Sequence, residues 1–189
     1  VKAMKREDIG AWHMDDAIKI YDDIGEIEIS YQEILKYHGR DFFGGVALAF
    51  KVLKLSFDQL LKGEVPHRNR IRLVVGFDPP GVIDAFEFIT RAVTRRRLVL
   101  DPDPKKGPDS VFGRYYFEVH HEDQRLCLWL RSGLLPEDFT MLARKAFAGI
   151  ATAEEHSRWK GHKENIGSTL MALEPEKILH FEGPFPVTP

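Results

Sequence analysis

The apolar positions of the chain fall into two distinct periods. After Gly44-Gly45, Val46, Ala49, Phe50, Leu53, Phe57, Leu60 and Leu61 recur at offsets of three and four, the spacing of one helix face. Leu48, Val52 and Leu55 widen that face, and Lys51, Lys54, Asp58 and Lys62 leave a narrow polar edge. The pattern predicts a central, largely buried helix. Ile71, Leu73, Val75 and Phe77 then alternate with Arg70, Arg72, Val74 and Gly76, which is strand periodicity. Asp78-Pro79-Pro80-Gly81 follows, and it predicts a second helix capped by Asp78, because Asp favours the N-cap and proline is tolerated in the first turn. Val82, Ala85, Phe86, Ile89 and Val93 give that helix its inward stripe.

Weaker signals fill in the rest. Residues 31–37 predict a short helix, and 101–110 an irregular loop rich in Pro, Gly and Asp. Tyr115, Phe117 and Val119, then Leu126, Leu128 and Leu130, alternate with polar neighbours on either side of a turn near Glu122-Asp123, which predicts a hairpin. Pro136 opens another helix, with Phe139, Leu142, Ala143, Ala146, Phe147 and Ile150 as its stripe. Thr152 and Glu155 have the spacing of a capping box and begin a further helix that Gly161 or Gly167 is expected to break. A last strand is expected over 177–181, ahead of a Pro-rich tail from Gly183. Helices and antiparallel strands in this order read as an α+β fold, an antiparallel or mixed sheet packed with helices in one core domain, 31–189. Residues 1–30 read as an N-terminal arm of mixed charge with a short helix over 15–21.

Composition narrows the function classes. The 189 residues carry 43% hydrophobic content and a formal net charge of −2, so a real core is expected and a polybasic nucleic-acid surface is not. The longest apolar run, 42–50, is about half the roughly 20 residues of a spanning helix, so no membrane association is expected. No signal-peptide pattern opens the sequence, which reads as cytoplasmic. Cys127 is the single cysteine and excludes an intrachain disulfide framework or a CxxC zinc ribbon. No GxSxG elbow, GxGxxG or P-loop occurs.

The segment His38-Gly39-Arg40-Asp41-Phe42-Phe43-Gly44-Gly45 holds the candidate chemistry. A histidine leads through a glycine-containing turn to the start of the buried helix, where unpaired N–H groups suit an anion. Close packing at the glycines, with His38 as a partly buried side chain, is the alternative reading. Arg95-Arg96-Arg97 reads as complementing a helix C-terminus. His120 and His121 are adjacent on a strand and point apart; His156 and His162 are six residues apart on a helix; His13 and Asp16 are three apart on the arm. Neither histidine pair makes a chelate by its spacing, and His13 with Asp16 could meet one turn apart but would supply two ligands alone. Cys127, beside Trp129 in the hairpin, reads as a buried, inert thiol.

His38-Gly39-Arg40-Asp41-Phe42-Phe43-Gly44 followed by Val46-Ala47-Leu48-Ala49 resembles the His-Gly-His-x-Cys-Pro-Gly segment and following helix of the FmdE family, named for a component of formylmethanofuran dehydrogenase. Val82-Ile83-Asp84-Ala85-Phe86-Glu87 is similar to that family's Val-Asp-Ala-Leu-Gln stretch, and the ending Glu176-Lys177-Ile178-Leu179-His180-Phe181 fits its order of elements. The resemblance runs from about Tyr31 to Val187. It implies an α+β fold and a place beside the molybdenum or tungsten enzyme that reversibly reduces carbon dioxide to a formyl group. His38 matches the first histidine of the family's metal site, but Arg40 stands at the second histidine and Phe42 at the cysteine. The family's other cysteines correspond to about Gly81 and Ala92, and the C-terminal zinc finger of some members is absent.

The resemblance thus implies an accessory binding protein of one-carbon metabolism, with a small ligand or metal in a pocket near His38. Its cofactor would be a divalent metal such as zinc on His38, with Asp41 or Asp84 as harder ligands, or else an anion on Arg40. Arg40, Asp41, Asp84 and Glu87 are the other candidate binding residues. No pterin, haem or iron–sulfur cluster is expected in this chain. The alternative is an independent enzyme using His38 with Asp84 or Glu87 for acid–base chemistry on a one-carbon or carboxylated substrate. A homodimer is expected from the wide apolar arc of the long helix, and a larger dehydrogenase complex from the resemblance.

Overall fold

The computed structural model describes residues 16–39, 43–111 and 113–187. Two strands, β1 (Ala17–Tyr21) and β2 (Glu26–Ser30), form an antiparallel hairpin whose turn is held by the Asp22 carboxylate, which accepts from the amides of Ile24 and Gly25. Where a helix is expected over 15–21, Ala17–Tyr21 is therefore a strand, and residue 15 lies outside the described residues. Ile18 and Ile20, and Ile27 and Ile29 opposite them, repeat with period two, and Ile18, Ile20 and Ile29 are buried in the main core. Asp16 joins the hairpin to the long helix by ion pairs with Lys54 and Lys51. Burial pulls the Lys51 ammonium below its usual range and Asp16 opposes that pull.

Ser30 ends β2 and caps α1 (Tyr31–His38) in a reciprocal capping box with Glu33. Gly39 closes α1 at φ 97°, donating its N–H to the Leu35 carbonyl. The central helix is α2 (Phe43–Leu61), in which twelve of 19 residues are buried. Its wide apolar arc is covered within the chain by α1, by α3 (Pro80–Thr90), by α5 (Ala153–Met171) and by the sheet. That arc therefore gives no ground for expecting a second copy.

Gly44 and Gly167 set the closest approach of α2 and α5. A Cβ on Gly44 would lie 2.6 Å from Ile166 Cγ2, and one on Gly167 would lie 2.8 Å from Phe43 Cβ. Neither Gly161 nor Gly167 breaks α5, which runs unbroken from the Thr152–Glu155 capping box. The glycine expected to end the helix instead admits its neighbour.

The sheet has the order β4-β3-β5-β6-β7, with β3 (Ile71–Val75), β4 (Leu98–Leu100), β5 (Tyr116–His121), β6 (Gln124–Leu130) and β7 (Leu179–Pro186). Only β3 and β4 are parallel, joined through α3; the other pairs are antiparallel. One face lies under the helices, with Leu73, Phe117, Val119, Leu126, Leu128 and Leu130 at most 1% exposed. The opposite face carries Glu118, His120, Arg125 and Trp129. The chain is a single α+β domain with a mixed sheet packed against helices.

Several boundaries differ from expectation. Pro79, not Asp78, is the N-cap of α3, and it makes no side-chain cap bond. The helix ends at Thr90, and the Arg97 guanidinium beyond it donates to the carbonyls of Ile71 and Thr90, as Arg68 does to Phe88 and Ile89. The expected strand over 177–181 starts two residues later, after a short helix α6 (Pro175–Ile178), and extends to Pro186. Cys127 is buried and free.

Candidate functional site

His38 ends α1 and Asp84 lies in the second turn of α3, two helices packed against each other. His38 Nδ1 is 2.7 Å from Asp84 Oδ2. The histidine side chain is 6% exposed and the aspartate 37%. The Asp84 carboxylate accepts from Nδ1–H, which fixes the orientation of the ring and turns Nε2 away from the aspartate. Nε2 is buried and has no hydrogen-bond partner among the described residues.

That orientation is how a carboxylate holds a metal-ligating histidine. Among the described residues no three His, Cys, Asp or Glu side chains gather closely enough to hold an ion. A zinc site takes three or four protein ligands, of which the described residues supply one ring nitrogen here. Arg40 and Asp41, the nearest expected contributors, lie outside the described residues, as does His13.

Glu87 is committed elsewhere. Its carboxylate accepts from the amides of Val93 and Thr94 at 2.9 and 3.0 Å and from the Thr94 hydroxyl, closing the turn after α3. Burial disfavours its charge, but these bonds and nearby Arg91 win and hold the carboxyl below its usual range. Of the other sequence candidates, His120 meets Glu118, His162 meets Asp138, and His156 lies against Trp159.

A cavity of about 360 Å³ opens one helical turn before Asp84. Its inner wall is the start of α2 at Gly44 and Gly45, and residues 78–82 at the start of α3. Gly44, Gly45 and the start of the second helix thus share a hollow, which neither His38, Asp84 nor Glu87 lines. Gly45 lets the two helix starts touch: a Cβ there would lie 3.2 Å from the Val82 nitrogen and 3.3 Å from Gly81. The outer wall is α4 (Phe139–Phe147) together with Trp159, Lys163 and Ile166 of α5. Leu48, Phe77, Tyr115, Leu130 and Leu170 complete an almost wholly apolar lining.

The hollow has a structural origin. Leu142, Ala143 and Trp159 form a small cluster of their own, separate from the main core. α4 and the N-terminal half of α5 therefore make a cluster apart, while Ile166, Leu170 and Met171 of the same α5 belong to the main core, and the cavity is the seam between the two clusters. Ser110 lines it, 1% exposed, with an Oγ that lacks a hydrogen-bond partner among the described residues. Sequence reasoning places Phe139, Ala143 and Phe147 on a core stripe and misses the cavity they wall. No signal in the sequence marks it; in the structure Phe147 is 55% and Ile150 70% exposed at the end of that stripe.

No family model matches this sequence, and a search of curated proteins finds no relative. No helix among the described residues is long and apolar enough to cross a membrane.

Proposed function

We propose that the chain is a small-molecule-binding protein, and that its ligand lies in the cavity between the starts of α2 and α3 and the α4–α5 pair. The observation that carries this reading is the cavity itself: about 360 Å³, walled by apolar and aromatic side chains from several elements, with a few polar groups at the helix starts. Ligand pockets have this size and character. A well-packed core would not leave such a volume unfilled.

The resemblance of 38–49 and 82–87 to the FmdE family supports an accessory role in one-carbon metabolism, beside a partner that carries the redox centre. In that reading His38 and Asp84 join α1 to α3 behind the cavity wall and position the helix start that the ligand meets.

Titration with the neutral dye N-phenyl-1-naphthylamine tests the binding reading. One dye per chain is expected, with enhanced emission. Leu135→Trp, at a half-buried lining position, is expected to abolish the signal while far-ultraviolet circular dichroism is unchanged. No dye binding, or binding unaffected by a correctly folded Leu135→Trp protein, overturns it.

A further inference from the structure

The cavity has a polar end, and its chemistry selects a class of ligand. The starts of α2 and α3 meet there backbone to backbone at Gly45, Gly81 and Val82. A helix start carries partial positive charge and amides with no carbonyl one turn earlier. In α1, α5 and α6 the first turn holds a glutamate that offsets this charge. Neither α2 nor α3 has an acidic residue in its first turn, and these two helix starts converge on one wall.

The donors at this wall are few and specific. Pro79 and Pro80 have no N–H, and the amides of Val82 and Ile83 both bond the Pro79 carbonyl at 3.0 and 3.1 Å. That leaves the Gly81 N–H as the one amide of the α3 start without a backbone partner among the described residues. Ser110 supplies the second observation: a hydroxyl on the cavity lining, 1% exposed and without a partner among the described residues. A buried hydroxyl in that state is costly to the fold unless a ligand completes its hydrogen bonds. Lys163 adds a cation on the same lining, its Nζ 4.3 Å above the Trp159 ring. Asp78 is the one carboxylate on the lining, and it is exposed.

Resting on the binding reading above, we propose that the cavity takes an amphipathic carboxylate. Its apolar body fills the seam against α4 and α5, and its head faces the joined helix starts and the Ser110 hydroxyl. A single carboxylate matches this donor set. A phosphate dianion calls for the forked donors of arginine, and no arginine lines the cavity among the described residues.

The experiment compares three probes with one ten-carbon body: decanoate, decanol and decylammonium, titrated calorimetrically into the unmodified protein. Decanoate is expected to bind at least about tenfold more tightly than decanol, a difference of about 1.4 kcal/mol, with decylammonium weakest. In Ser110→Ala, decanoate affinity is expected to fall several-fold while decanol affinity stays unchanged. Equal affinity for decanoate and decanol, or tightest binding of decylammonium, overturns the carboxylate assignment and leaves the cavity reading standing. An equal loss for decanoate and decanol in Ser110→Ala also overturns it. Failure of all three probes to bind brings down the cavity reading as well. Should Ser110→Ala fail to fold, the three-probe comparison on the unmodified chain decides the matter alone.

Discussion

His38 Nδ1 and Asp84 Oδ2 meet at 2.7 Å across 46 residues of sequence, fastening the last turn of α1 to the second turn of α3. His38 is nearly buried and its other nitrogen lacks a partner among the described residues, so Asp84 provides the one hydrogen bond that ring makes there. Asp84→Ala is expected to destabilise the protein by about 1–2 kcal/mol, and Asp84→Asn by less, since an amide oxygen still accepts from Nδ1–H. Urea unfolding of the two variants checks the order. Equal losses would mean that the bond contributes nothing.

Gly45 is expected to resist substitution for a reason that propensity does not supply. A Cβ there is wedged against the backbone of Gly81 and Val82, which cannot swing aside, so Gly45→Ala should cost about 1–3 kcal/mol. Gly161→Ala is the control. Nothing lies within 4 Å of a Cβ at Gly161, and a helical glycine replaced by alanine should stabilise by roughly 0.5–1 kcal/mol. Thermal or urea melts of the two variants should move in opposite directions.

The arginine cluster separates by position. Arg97 donates to the carbonyls of Ile71 and Thr90, whereas Arg95 and Arg96 are exposed. Arg97→Ala is expected to lose about 1–3 kcal/mol by stranding those carbonyls, and Arg95→Ala and Arg96→Ala to stay within about 0.5 kcal/mol of the parent. Three equal effects in denaturant unfolding would contradict this division.

Acid stability should report on Glu118. Its carboxylate accepts from His120, Tyr116 and Arg125, and these bonds, led by that of His120, hold its pKa at about 2 against an ordinary 4.5 despite burial. A carboxyl depressed on folding contributes stability that is fully present above its unfolded pKa and is lost as pH falls through the folded one. The window is therefore about pH 4.5 down to 2, and the loss is on the order of 2–3 kcal/mol. Glu118→Gln should lower stability at pH 7 and flatten the decline across that window, as read by urea midpoints at stepped pH.

Much of the scaffold is legible in the sequence because it follows from local periodicity. The stripe from Val46 to Leu61 defines α2, and the alternation from Ile71 defines β3, without reference to any distant segment. Three-residue β4 is not legible: Leu98–Leu100 follow an arginine run, and parallel pairing with β3 alone makes them a strand. Gly167 reads as a helix breaker because the sequence does not show Phe43 lying against it. Glu87 looks like a site residue because its capture by amides six and seven residues ahead depends on where α3 stops. The cavity is invisible for a similar reason. It arises between two hydrophobic clusters, and a stripe such as Phe139, Ala143 and Phe147 reads the same whether it meets protein or a ligand.

The most direct test of the cavity as a binding site is a map of amide chemical shifts in ¹⁵N-labelled protein titrated with decanoate. The largest saturable changes are expected at Gly45, Gly81, Val82 and Ser110, with smaller ones along α4. Changes centred on the outer face of the sheet around Glu118 and Trp129, or no saturable change at all, would contradict the account.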